Sequence, residues 1–170
     1  MSIDPEKVSI RRLKDSDSLE ELTELLHRAY KVLADMGLRF LATHQDVSVT
    51  RDRIRQGACF VAEANGQVVG TITYHDPGHV KGSSWMERKE VAHLNQLAVE
   101  PEFRGCGIAT RLIEHAENFA RSRGVTEIAL DTAEPAVQLI SWYTRLGYRF
   151  VEYTDWEVTN YRSVVMSKSL

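Results

Sequence analysis

Between a strand-like run ending at Val99 and an amphipathic run beginning near Ile108, the chain places Arg104-Gly105-Cys106-Gly107-Ile108-Ala109-Thr110. Pro101 stops the strand. Gly105 and Gly107 then free the backbone from Cβ crowding, so that successive N–H groups can turn toward one point as the helix starts. Those N–H groups have no intrahelical partner, and the helix dipole adds about half a positive charge there. A pyrophosphate suits such a turn, although the same glycines would also serve a plain strand-to-helix corner. Two nucleotide motifs do not fit. No Lys-Ser/Thr pair follows the glycines as a Walker loop requires, and Thr110 stands where a dinucleotide fingerprint wants a third glycine. A dinucleotide fold would also put the turn after its first strand, whereas several elements precede it here. Cys106, at a helix N-terminus where thiol acidity rises, is an alternative nucleophile. His75 and His79 share a glycine-containing loop with no cysteine companion, and no metal site is expected.

The elements that must position this turn follow from periodicity. Val8 and Ile10 alternate as in a short strand, and Leu19, Leu22, Leu25, Leu26, Ala29, Tyr30 and Leu33 keep one helical face behind a Ser18/Glu21 capping box, with Gly37 as the stop. A weaker helix covers about 50–56. Strands at 59–63 and 67–74 flank the hairpin turn Asn65-Gly66. Residues 75–90 read as a long polar loop and 91–99 as a strand, and a helix marked by Ile108, Leu112, Ala116, Phe119 and Ala120 ends at Gly124. A strand at 128–131, a helix at 135–146 with Pro135 in its first turn and Gly147 past its end, and strands at 148–153 and 163–167 complete the chain. The expected fold is α/β, a central mixed and mostly antiparallel sheet flanked by helices.

Composition bounds the function. A chain of 170 residues with 43% hydrophobic and 26% charged residues is expected to be one domain over 1–170. A net charge of −3 gives no field to hold nucleic acid, so an anionic ligand must be gripped locally. No stretch approaches the roughly 20 apolar residues of a membrane helix, so no membrane partner is expected. Two cysteines and a start, MSIDPEKVSIRR, without an apolar leader point to a cytoplasmic setting.

The turn resembles the signature of the GNAT superfamily of N-acetyltransferases, [Q/R]-x-x-G-x-[G/A], which Arg104-Gly105-Cys106-Gly107-Ile108-Ala109 satisfies. The resemblance extends through Leu97-Ala98-Val99 upstream and Trp142-Tyr143-Thr144-Arg145-Leu146-Gly147-Tyr148 downstream, and the element order covers nearly the whole chain. It implies acetyl-CoA as co-substrate, its pyrophosphate held by the backbone from Arg104 through Gly105, Cys106, Gly107, Ile108 and Ala109 to Thr110. Leu97, Ala98 and Val99 would lie where their strand splays from its neighbour, with the Leu97 N–H toward the thioester carbonyl. An alkylammonium of pKa about 10.4 must first lose a proton, at a cost of roughly 4 to 5 kcal/mol at neutral pH, and the departing thiolate gains from a proton donor.

The resemblance assigns these catalytic roles to His93 as base and Tyr143 as acid. His93 stands four residues before Leu97, and a structural histidine would fit there equally; Glu63 and Glu90 are alternatives for the base. Tyr143 would otherwise only pack with Trp142 and Leu146. Ala136 and Leu139 depart from the Asn and Ala that many relatives carry before this tyrosine. The acceptor region would comprise 30–49, 75–90 and 154–162, where Asp155, Trp156, Glu157 and Tyr161 could seat a cationic amine or simply form a polar hairpin around a buried Trp. The expected acceptor is a small-molecule amine or amino acid. The alternatives are a protein N-terminus or lysine and, for the chain as a whole, a non-catalytic acyl-CoA-binding module. The family resemblance also allows a homodimer.

Overall fold

The structure, a computed structural model, describes residues 4–170. Seven strands form a single sheet in the order β1-β2-β3-β4-β5-β7-β6. They are β1 (Val8–Arg12), β2 (Ala58–Ala64), β3 (Gln67–His75), β4 (Val91–Val99), β5 (Glu127–Ala133), β6 (Arg149–Asp155) and β7 (Arg162–Ser169). Every neighbouring pair is antiparallel except β4 and β5. The helices are α1 (Leu19–Asp35), α2 (Val47–Arg55), α3 (Ile108–Ser122) and α4 (Val137–Arg145), which realises the mixed, mostly antiparallel architecture expected from the pattern.

Local chemistry explains the boundaries. Ser18 Oγ accepts the Glu21 N–H at 3.2 Å to start α1. Asn65 (φ 52°) and Gly66 (φ 77°) make the tight turn between β2 and β3. Two helices differ from expectation. α2 begins at Val47 rather than near Thr50, because Asp46 caps it through Val49 N at 3.0 Å. α4 begins at Val137 after the cap residue Ala136, so Pro135 precedes the helix instead of occupying its first turn.

Alternation along the strands builds two layers. Phe60, Ala62, Ala92, Leu94, Ile128 and Leu130 face α3, whereas Cys59 and Val61 pack with Leu22 of α1. In β4 the alternation reverses midway. Thr73 pairs with Asn95 but Thr71 with Ala98, so Gln96 and Leu97 share a single opposing residue in a bulge, with Gln96 at φ 53°. Leu94 therefore faces α3, while Ala98 packs with Leu25 and Leu26 of α1. The register of β4 with β5 covers only Val91, Ala92 and His93 against Glu127, Ile128 and Ala129. Beyond His93 the strands part.

The segment between β3 and β4 is tied down rather than simply polar. Ser83 Oγ, Ser84 Oγ and Trp85 N all donate to the Glu152 carboxylate of β6, at 2.6, 2.6 and 2.9 Å, and Met86 is buried with Val91 and Val165.

On the other face, Tyr148 Oη donates to Glu117 Oε2 at 2.8 Å and Lys168 Nζ reaches both Glu117 oxygens at 3.0 and 3.1 Å, with Glu117 only 3% exposed. Removing the amine leaves that buried carboxylate with a hydroxyl as its partner. Lys168→Met is expected to cost about 3 kcal/mol in urea denaturation, and adding Glu117→Gln to recover most of it. A loss under about 1 kcal/mol would mean that solvent already screens the pair.

Candidate functional site

Where β4 and β5 part, a cavity of about 560 Å³ opens between them. His93, Leu97, Ala98, Val99, Arg104, Ala109 and Tyr143 all line it, so the structure brings the greater part of the expected site to one place. Gly105, Cys106, Gly107, Ile108 and Thr110 lie outside this lining, in the turn that leads from β4 into α3. Ile108 turns its side chain into the core.

The turn has the form that an anion requires. Gly105 and Gly107 both sit at φ 78°, and a Cβ at either would project into open space. No side chain caps α3. Among the described residues, no acceptor is found for the backbone N–H groups of 105–110. These donors lie at the positive end of a helix of 15 residues. Arg104 turns away from them, its Nη2 donating to Ala29 O of α1 at 2.8 Å.

His93, Asp131 and Tyr143 are titratable groups of the cavity wall, and His75 stands behind His93. His75 and His93 pair directly across β3 and β4, and His93 pairs with Ala129 of β5, two residues before Asp131. His93 Nε2 lies 3.6 Å from Asp131 Oδ1, close enough for charge attraction and too long for a hydrogen bond. Neither ring nitrogen of His93 has a hydrogen-bond partner among the described residues. Asp131 accepts from Trp156 Nε1 at 2.9 Å; desolvation works against its charge, yet His93 and Trp156 outweigh it and hold the carboxyl below its ordinary range. Tyr143 is buried, which pushes its phenol well above the usual value, and no described residue hydrogen-bonds to its hydroxyl. It is a neutral O–H donor facing the cavity.

The other candidates separate cleanly. Glu63 pairs with Arg11 and Glu90 with Arg88, and neither lines the cavity. Cys106 does not line it either. Of the four acceptor candidates, Trp156 and Tyr161 reach the cavity, whereas Asp155 and Glu157 are exposed outside it. Ala136 is buried at the start of α4, and Leu139 is part of the cavity wall. Sequence reasoning missed Asp131 and Arg53, and did not single out Tyr30 and Phe40 within the acceptor range 30–49; their rings meet that of Tyr161 in a tilted series, with centroids 5.5 and 4.8 Å apart. A polar residue closing the apolar run Ile128-Ala129-Leu130 was the available signal for Asp131.

A profile of the acetyltransferase (GNAT) family matches residues 19–148. The chain is 33% identical over 139 residues to the S-(2-succino)cysteine N-acetyltransferase of Bacillus subtilis, covering 81% of this chain and 82% of that relative. Among solved structures, an acetyltransferase from Streptococcus agalactiae superposes with a TM-score of 0.73 at 21% identity, over 96% of this chain and 99% of the other. A GNAT family acetyltransferase from Elizabethkingia anophelis with acetyl-CoA bound gives a TM-score of 0.68 at 14% identity, over 96% and 99%.

His75 is fully buried, with Nε2 3.2 Å from Asn95 Oδ1 and Nδ1 unpartnered among the described residues. Burial, with His93 and the stacked His79 beside it, pushes it from 6.5 down to about 4. Between those values the unfolded chain takes up a proton that the folded chain refuses, so stability falls as pH falls through that window, by about 3 kcal/mol at most. His79 and His115 are shifted in the same direction, so the comparison must be with a variant. Urea midpoints measured from pH 7 to pH 5 are expected to drop more steeply for the wild type than for His75→Gln, and parallel slopes would refute the assignment.

Proposed function

Because the chain belongs to the acetyltransferase (GNAT) family, we propose that it transfers the acetyl group of acetyl-CoA, its co-substrate, to the primary amine of a small molecule or amino acid. The observation that carries this reading is the junction of an uncapped glycine turn with a parted pair of strands. The turn offers free N–H groups to a pyrophosphate, and the parted edge of β4 offers unpaired main chain to an amide-bearing arm. The acceptor reading is supported by the aromatic walls of the cavity and by the similarity to an enzyme named for acetylating an amino-acid derivative.

Acetyl-CoA supplies a thioester whose carbonyl carbon accepts the amine nitrogen; a C–N bond forms, the C–S bond breaks, and the amide, free thiol and a proton result. His93, with Asp131 behind it, takes the proton from the incoming ammonium, and the adjacent carboxylate stabilises the imidazolium that forms. Tyr143 donates a hydrogen bond to the sulfur as negative charge builds there. Its weakened acidity suits it to stabilise that charge more than to surrender its proton in full. The Leu97 N–H, within the bulge, is the donor for the developing charge on the carbonyl oxygen.

Isothermal titration with acetyl-CoA, with NAD as control, is expected to show binding of acetyl-CoA alone. Gly107→Val places methyl groups in the space that the turn leaves open, and should weaken acetyl-CoA binding at least about tenfold while the thermal transition survives. Tyr143→Phe should lower kcat by about 100-fold with acetyl-CoA affinity unchanged. For His93→Gln, kcat/KM is expected to fall and to lose the decline that the wild type shows toward low pH; a parallel drop at every pH would assign His93 a structural role.

A further inference from the structure

One cation in the cavity is not used by the reaction as described. Arg53, from the last turn of α2, lines the cavity together with Tyr30, Tyr161 and Asp131. A guanidinium carries five N–H donors. Among the described residues, only Nη1 of Arg53 has an acceptor, the neutral Gln45 Oε1 at 2.8 Å, and no carboxylate lies within ion-pair distance. Burial pushes its pKa down, and of Tyr30, Asp131 and Tyr161, the groups that work against that shift, only Asp131 is charged at neutral pH. That neighbourhood sets it apart from Arg104, the other arginine of the lining, which belongs to the glycine turn and is tied to α1.

Arg53 is also held in place. Gln45 is 2% exposed, and its amide nitrogen donates to Thr50 Oγ1 and Gln96 Oε1, both at 2.8 Å. Those two bonds fix which way the amide points, leaving Oε1 to orient the guanidinium. Asp131 is anchored separately by Trp156, so at this end of the cavity Arg53 and Asp131 set opposite charges, each pinned by its own partner.

We propose that the acceptor is a zwitterion, a primary amine that carries a carboxylate close to it, with Arg53 pairing with the carboxylate while Asp131 and His93 receive the ammonium. This rests on the acetyl-transfer reading. A guanidinium fork matches a carboxylate in a way that no neutral group does, and pairing would restore the partner that its burial has taken from water. The rings of Tyr30, Phe40 and Tyr161 then enclose the carbon body of the acceptor.

The test is CoA release with matched acceptors: the amino acids and S-carboxymethylcysteine, their carboxamides, and the corresponding decarboxylated amines. For the wild type, kcat/KM is expected to be about 100-fold higher for the acids than for either partner. Arg53→Met should remove most of that preference through KM, Arg53→Lys should restore part of it, and both should bind acetyl-CoA as the wild type does. Equal use of carboxamides or amines, failure to use any of the acids, or a preference that survives Arg53→Met would overturn the assignment of Arg53. A wild-type protein that binds no acetyl-CoA would instead overturn the acetyl-transfer reading on which it stands.

Discussion

The parting of β4 from β5 is the constraint on which the rest of the molecule depends. A parallel pair gains its stability from a continuous ladder, and this one is given up after three residues on each strand. Leaving main-chain donors and acceptors without partners costs on the order of 1 to 3 kcal/mol for each group kept from water. The fold meets that cost with structure on both sides. β4 stays paired with β3 on either side of the bulge, from His93 to Val99, and β5 along its whole length with β7, so each half of the opened sheet remains braced.

The bulge at Gln96 makes the opening usable. A straight β4 would keep even-numbered residues on the α3 face throughout, and Ala98 could not pack against α1. With the extra residue, the strand changes face between Leu94 and Ala98. Gln96 takes a left-handed backbone conformation that few residues tolerate, and its buried amide is held by Gln45 and by Thr73 Oγ1 at 3.4 Å. The strain at one residue is thus secured by side chains from the loop before α2 and from β3, and the same Gln45 also holds Arg53.

How much of this was legible in the sequence depends on whether the signal is local. The glycine turn, the hairpin at Asn65-Gly66 and the limits of β4 are each written in a few adjacent residues, and they appear where the pattern placed them. The start of α2 was missed because Asp46 caps a segment with little apolar periodicity. The segment between β3 and β4 looked like an open polar loop because its anchor, Glu152, is more than sixty residues away along the chain. The meeting of His93 with Asp131 depends on the register of a parallel pair, and the meeting of Arg53 with the cavity depends on how α2 packs. No short-range pattern encodes either.

An arginine and an aspartate lining one cavity attract each other, and at an effective dielectric near 20 the pull is worth a few kcal/mol at contact. A direct pair would quench both groups and leave an acceptor with nothing to exchange for its lost hydration. Among the described residues they form no such pair. Trp156 holds the carboxylate from the segment before β7, and Gln45 holds the guanidinium from the segment before α2. Each anchor is a neutral group, so it fixes position without cancelling charge. The separation of the two charges is therefore set by the framework, and that separation is what a ligand bearing both signs would have to match.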